Sequence, residues 1–333
     1  MRSAHNIPRA IPSPRKIHVV IPFYHGHDDL PALLTSLDQN THRPDHIWIV
    51  DNSDDDARLH SLSIPVETPT SILRAQSRIG FGRASNLGAW QASERGATHI
   101  CVLNQDGFAD PQMLEHLLND LDETSATLIA PLVVDPGSRS ISPFVARLYV
   151  PEAIRSSEIL SPGQLPQQPR YEPHYLCGAA LLFPVSLFHR TGLFDPLFTM
   201  YGEDRDLCER ARRIGARLVL SRAARFNHAH TNATATGSKR AQLLTWQSES
   251  HAVRRMRSAA PSPLLDRIEE AVLWCRASFA SGPRCAFKAV SARRQALTQK
   301  FHRLKAARDG ESLLERTHAC AIKDLLEIVH DQP

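Results

Sequence analysis

Four short apolar runs, separated by segments with helical spacing, constrain this 333-residue chain more than any other feature. They are KIHVVIPFY from Lys16, HIWIVDNSDDD from His46, THICVLNQDG from Thr98 and ATLIAPLVV from Ala126. The first two read as buried strands, apolar on both faces, and the other two as further strands. Between them, Leu30, Leu33, Leu34 and Leu37 recur at helical spacing behind Asp28 and Asp29, either of which would cap. GFGRASNLGAWQASERG opens on glycines and continues as a helix, and DPQMLEHLLNDL is another, with Pro111 in its first turn. Strand and helix alternate over residues 16–134, which predicts an α/β fold with a mostly parallel sheet flanked by helices.

Such sheets bind ligands where their strands end. Three of the runs end in polar clusters: Tyr24, Asp51-Asn52 and Asn104-Gln105-Asp106. Each alone is equally an ordinary turn after a strand. Together they mark one edge. A carboxylate delivered there by a buried strand, as Asp106 is, suits a hard divalent cation held against a diphosphate. The glycines of RIGFGRASNLG offer close backbone approach and a helix N-terminus for an anion, or simply a helix start. Their spacing is not that of a dinucleotide-binding loop.

Farther on, MYGEDRDLCERARRIG places Glu203, Asp204 and Asp206 at the start of a helix whose apolar face is Leu207, Ala211 and Ile214. One or two acids there serve the helix dipole, with Gly215 as the stop. The third is surplus. A short strand, ARLVL, then leads to His228 and His230 in a polar loop. Residues 135–175 are rich in proline and read as an irregular insertion near the site, with ISPFVARLYV as a strand or hairpin arm.

A composition of 42% hydrophobic and 22% charged residues supports a sizeable core, and a net charge of +4 points to no particular partner. Six cysteines without a C-x-x-C pair read as thiols in a reducing compartment. The first 15 residues are basic and proline-containing, lack an apolar signal core, and read as a flexible lead-in. No run is long enough to span a bilayer, so a cytoplasmic protein is expected, with peripheral attachment to the inner face of the cell membrane as an option.

The order VVIPFY, IVDNSDD, GFGRASNLG, VLNQDG, GAALLFPVSLFHRTGLFD, YGEDRDLCERARRIG and NHAH resembles the family 2 glycosyltransferases of the GT-A fold, over residues 16 to 235. The Gln-Asp of LNQDG is similar to rhamnosyltransferases of the bacterial branch that builds O-antigen and other surface polysaccharides. The resemblance implies a GT-A domain over 16–238 and roles residue by residue. Pro22, Phe23 and Tyr24 would line the nucleoside pocket, and Asp51 with Asn52 would meet the base or ribose. Gly82, Asn86, Asn104 and Gln105 would lie near the donor. Asp106 would hold Mg²⁺ or Mn²⁺, with His228 beside the metal or diphosphate. Asn104 stands where the family's first metal acid is usual, and Ser85 where an amide is usual. Glu203 and Asp204 match the acidic pair that includes the catalytic base, and either could serve. The implied reaction is inverting transfer of a sugar, a deoxyhexose such as rhamnose among the options, from a nucleotide-diphosphate sugar to a glycan or lipid-linked hydroxyl. A non-catalytic sugar-nucleotide-binding relative is the alternative that Asn104 favours. A nucleotidyltransferase would want a basic glycine loop after the first strand, and PFYHGHDD has none.

Residues 239–333 read as a basic helical C-terminal region, broken near Pro261-Pro263 and Gly282-Pro283. Residues 276–308 carry nine Lys and Arg with no acid, interleaved with apolar residues. A solvated or partner-binding face and an anionic membrane surface are both open readings; nucleic acid is disfavoured for want of a recognition motif.

Overall fold

The computed structural model describes residues 14–53, 66–121, 126–137, 140–141, 146, 162, 165, 170–228, 237–258, 263–308 and 313–331. Among the described residues hydrogen bonding pairs ten strands: β1 (Ile17–Phe23), β2 (His46–Asp51), β3 (Thr70–Ala75), β4 (His99–Leu103), β5 (Gly107–Ala109), β6 (Thr127–Val134), β7 (Arg170–Tyr171), β8 (Ala180–Pro184), β9 (Arg217–His228) and β10 (Leu325–Asp331). Their order is β10-β3-β2-β1-β4-β8-β6-β9-β5, with β7 also on β9. Strands β3, β2, β1 and β4 run parallel, as does β6 with β9.

The parallel expectation holds for that four-stranded half and is corrected beyond it. Strand β8 inserts antiparallel between β4 and β6, and β5, β7 and β10 are also antiparallel to their neighbours. Strand β3 was not foreseen, because SILR is short and lacks a periodic flank. The short strand expected at ARLVL extends twelve residues to His228, so that histidine ends a strand instead of sitting in a loop. Its register slips opposite Pro131, where β6 has no N–H to offer and Ser221 is followed in the pairing by Arg225.

Alternating strand residues feed two cores, which is why neither face of the central runs is polar. Val20, Trp48 and Val50 pack under α2 (Phe81–Glu94), whereas Val19, Ile21, Ile47 and Ile49 pack with α1 (Leu30–Asp38) and α3 (Met113–Asp120). Helix α2 lies so close to the sheet that a Cβ at Gly88 would stand 2.4 Å from Val20 Cγ1. Two details of helix starts differ from expectation. Asp29 precedes α1 without a side-chain cap, Pro31 supplying the preset first turn, and Pro111 lies before the start of α3.

Helices α4 (Val185–Thr191) and α5 (Glu203–Arg213) complete the layer on the α2 side. Then α6 (Gly237–Ser258), α7 (Pro263–Ser281) and α8 (Pro283–Arg308) form a bundle around Ala241, Leu244, Leu273, Ala277, Ala286 and Ala289. Gly282, with φ +84°, and Pro283 make the sharp α7–α8 junction. The helical expectation fails at the end of the chain. Helix α9 (Leu313–Asp324) packs on α2, Arg83 pairs with Asp324, and β10 adds to β3. The apolar run LLEIV in β10 continues directly from a helix, so its period gave no boundary. Among the described residues no helix is long and apolar enough to cross a membrane. The segment ISPFVARLYV lies largely outside the described residues, as does His230.

Candidate functional site

The carboxyl ends of β1, β2, β4 and β9 and the N-terminus of α5 converge at one edge. Much of the polar cluster there braces the backbone. Gln105 Oε1 accepts from Tyr24 N at 2.6 Å while its Nε2 donates to Tyr24 O at 2.8 Å, clamping the end of β1 to the end of β4. Gly26 exists for that clamp: a Cβ there would stand 1.9 Å from Gln105 Nε2. Asn52 Oδ1 accepts from Ile79 N at 2.5 Å and Gly80 N at 3.1 Å, fixing the turn into α2. Asn86 makes two bonds to the Phe194 backbone, Nδ2 donating at 2.7 Å and Oδ1 accepting at 3.1 Å.

Of the candidate donor residues, Pro22, Phe23, Asp51, Asn52, Gly82 and Asn86 are buried. Phe23 belongs to the hydrophobic core. Asp51 Oδ1 accepts from Ser53 N at 3.0 Å, a turn contact, and Oδ2 lies 3.8 Å from Arg74 Nη1. Tyr24 is half-buried, with the Arg78 guanidinium 4.3 Å from its ring centroid; the same guanidinium is 5.7 Å from the Trp246 ring on α6. Gly82 lets α2 approach Phe194, whose Cβ would be 3.1 Å from an added methyl, with Glu203 Cγ at 3.9 Å.

His228 and Asp106, 122 residues apart, meet because β9 pairs with β5. His228 Nε2 is 3.0 Å from Asp106 Oδ1 and 3.2 Å from Asn104 Nδ2. A protonated Nε2 would donate to the carboxylate, and a bare Nε2 would accept from the amide; one neutral tautomer does not do both. A carboxylate oxygen and an imidazole nitrogen are a donor pair that suits Mn²⁺, with Mg²⁺ drawing on the oxygen alone, and both ions usually take further oxygens from phosphate and water. Among the described residues no group of three or more His, Cys, Asp or Glu gathers as a full metal cage. The fit is therefore to an ion completed by a ligand's own oxygens.

Tyr201 and Gly202, with φ of +67° and +83°, turn the chain into α5, so that Gly202 is the cap and both acids fall inside the first turn. The expectation that Glu203 or Asp204 would cap is corrected. Asp206 is the acid given to the helix, paired with Arg210 at 2.7 Å. Glu203 and Asp204 are nearly as buried but live in different surroundings. Asp204 Oδ2 accepts from the Tyr175 hydroxyl at 2.5 Å and from Gly178 N at 3.1 Å, and Oδ1 accepts from Arg205 N at 2.7 Å. Burial raises its pKa and these donors oppose the rise. Glu203 Oε2 is buried with no hydrogen-bond partner. Burial first, and the Asp204 charge second, push Glu203 up to about 8. Burial thus raises both carboxyls, but the donors around Asp204 favour its charged form, whereas Glu203 Oε2 has no such partner.

Tyr175, Gly178, Gly26 and Arg78 were missed by sequence reasoning. Gly178 had a signal, since glycine just before a strand marks a close approach; its Cβ would meet Asp204 Cβ at 3.1 Å. The other three carried none. Burial pushes the thiols of Cys101, Cys177 and Cys208 up to about 12, leaving them inert. A cavity of about 670 Å³ between α3 and β9, lined in part by Asp110, His116, Arg222 and Arg225, contains none of these site residues.

The fold and this edge define a GT-A-type domain, and comparison with known proteins agrees. A family model described as "Glycosyl transferase family 2" matches residues 18–191. The chain belongs to that family. It is 28% identical over 254 residues to a pre-mycofactocin glycosyltransferase of Mycobacterium tuberculosis, covering 73% of this chain and 47% of that one. It is 26% identical over 239 residues to an N-acetylglucosaminyl-diphospho-decaprenol L-rhamnosyltransferase of the same organism, covering 65% of this chain and 76% of that one. The chain therefore spans about half the length of the first relative and three quarters of the second. Among solved structures, GalNAc-T7 with UDP, GalNAc and Mn²⁺ superposes with a TM-score of 0.52 at 13% identity, over 85% of this chain and 57% of the other.

Proposed function

We propose that the chain transfers a sugar, with inversion, from a nucleotide-diphosphate sugar to a hydroxyl of a glycan or lipid-linked acceptor. The observation that carries this reading is the unequal carboxyl pair: Asp204 under three donors that favour its charged form, and Glu203 beside it with Oε2 buried and unpartnered. Asp204 takes the proton from the acceptor hydroxyl while that oxygen bonds to the anomeric carbon. The bond from that carbon to the phosphate oxygen breaks, and its electron pair leaves with the nucleoside diphosphate. Glu203, protonated, adds no second negative charge beside the base. Tyr175 and Gly178 aim the Asp204 carboxylate, and Gly202 orients the turn that carries both acids.

Asp106 and His228 would hold Mg²⁺ or Mn²⁺, which when bound supplies positive charge against the leaving diphosphate. Asn52 and Gln105 act on the donor side as braces that keep the β1–β2–β4 edge in shape, and Tyr24 with Arg78 offers an aromatic and a cationic surface beside it. The similarity to a rhamnosyltransferase supports an activated deoxyhexose as donor and a lipid-linked diphosphate glycan as acceptor. Such chemistry belongs to bacterial surface-polysaccharide assembly and to the cytoplasmic side of the membrane.

Incubation of the full chain with a panel of nucleotide sugars, with and without Mn²⁺, tests the reading by release of nucleoside diphosphate. Turnover of at least one donor is expected, rising with metal. Binding without turnover across donors and acceptors would favour the non-catalytic relative, the alternative raised by Asn104. Absence of any nucleoside diphosphate binding would remove both.

A further inference from the structure

Helix α7 carries apolar side chains on two sides, and one of those sides is covered. Leu273 and Ala277 enter the bundle. On the opposite side Leu265, Ile268, Val272 and Phe279 recur along one face, with exposures of 45%, 50%, 49% and 99%. Phe287, 65% exposed, lies just past the Gly282 turn at the start of α8. A run of this size on a water-soluble surface marks a contact.

Charge identifies the partner. Residues 237–308 contain fifteen Lys and Arg against four Asp and Glu. All four acids are engaged in ion pairs: Glu249 with Lys300, Asp266 with Arg255, Glu269 with Arg255 and Arg293, Glu270 with Arg293 and Arg294. The fully exposed charges of α7 and of the start of α8 are cationic: Arg267, Arg276, Arg284 and Lys288. A second copy docking symmetrically would set these cations against themselves. An anionic lipid surface meets both features, taking the apolar side chains into the acyl boundary and the cations at its headgroups.

We propose that the exposed face of α7 docks the protein on an anionic membrane surface. This confines the lipid-facing part of the basic run 276–308 to its first residues and adds the preceding turns of α7. Val290 of that run packs into the bundle, and Leu297 packs against the Leu197 and Phe198 cluster. The docking does not rest on the donor or the reaction proposed above, so either can fail alone.

Co-sedimentation of the full chain with vesicles of phosphatidylcholine, or of phosphatidylcholine with phosphatidylglycerol, tests it. Partitioning is expected to be at least about tenfold stronger on the anionic vesicles and to weaken as salt is raised. Ile268→Glu with Val272→Glu should abolish it while leaving the thermal melting midpoint unchanged, since both side chains are exposed. Equal binding to neutral vesicles, or retained binding in the double variant, would overturn the proposal. So would absence of vesicle binding together with concentration-dependent self-association that the double variant loses; that result would assign the face to a second copy.

Discussion

The Tyr175 hydroxyl donates to Asp204 Oδ2 at 2.5 Å, reaching across from the chain before β8 to the first turn of α5. That bond stabilises the charged form of a buried carboxyl. Its removal in Tyr175→Phe raises the Asp204 pKa further, so less of the base is ionised at a given pH. The acid limb of the kcat/KM profile should move to higher pH, with activity recovering under alkaline conditions. Asp204→Asn keeps the shape but cannot take a proton, and should lower turnover by about 10²–10⁴-fold at every pH. Initial rates across pH with the best donor check both. Wild-type turnover in Asp204→Asn would sink the base assignment.

Glu203 leads to a stability prediction whose sign is opposite to that of a salt-bridged acid. Its folded pKa, about 8, lies above the ordinary 4.5. Between those values the folded chain keeps a proton that the unfolded chain has lost. The stabilisation is full below about 4.5 and falls as pH rises toward 8. Glu203→Gln removes this penalty. It should melt higher than wild type at pH 8, by something on the order of 1 kcal/mol or more, and match it near pH 4. Thermal scans at the two pH values decide it; an equal gain at both would exclude titration as the cause.

The sequence showed the site's address better than its wiring. Central strands were legible because β1, β2 and β4 are buried on both faces and therefore mostly apolar along their length. Strand β8, though expected, could not be given its place, since insertion between β4 and β6 is settled by tertiary pairing. The polar clusters at the strand ends were visible, but their division of labour was not. Asn52, Asn86 and Gln105 look like ligand contacts in a line of text, and their role as backbone braces could not be read there, because the partners lie 27, 108 and 81 residues away. The pairing of Asp206 with Arg210 was readable at four residues' separation on one helix. Tyr175 was not readable, because nothing local relates it to Asp204.

Gly26→Ala tests the Gln105 clamp directly. The new methyl would fall 1.9 Å from Gln105 Nε2, so the amide must leave its two bonds to Tyr24. Gly26 does not have a positive φ, so backbone strain is not the cause. A loss of about 1–3 kcal/mol is expected. In a Gln105→Ala background the same substitution should be nearly neutral, because the obstructing atom is gone. Denaturant melts of the four proteins give the coupling energy. An unchanged cost of Gly26→Ala in that background would mean that the clamp is not what the glycine serves.

The Asp106–His228 pair should separate metal effects from proton transfer. Asp106→Ala removes the carboxylate and is expected to abolish stimulation by Mn²⁺, with a loss of at least about tenfold in turnover. His228→Ala should leave a weaker stimulation and a higher metal requirement. The Asp204-dependent acid limb of the pH profile should persist in both. Metal titrations at fixed donor concentration check this, and full Mn²⁺ stimulation in Asp106→Ala would move the metal elsewhere.

The bundle reaches the site through Glu249, buried on α6. It pairs with Lys300 of α8 and accepts from the Thr199 hydroxyl at 2.9 Å, while Ser250 Oγ donates to Met200 O at 2.9 Å. These contacts hold the segment that runs through Tyr201 and Gly202 into the acidic pair, and Leu197 and Phe198 pack beside them on Ala252 and Val253. Glu249→Ala leaves the Lys300 ammonium, only 16% exposed, without its counter-ion. A loss of about 2–4 kcal/mol is expected, together with a fall in turnover as the turn into α5 loosens. Glu249→Gln with Lys300→Met removes both charges at similar volume and should restore most of the stability. If it also restores turnover, the ion pair acts only by holding the turn. If stability returns without turnover, the Thr199 contact is what positions the carboxyls. Melting midpoints and initial rates on the three variants distinguish the two outcomes.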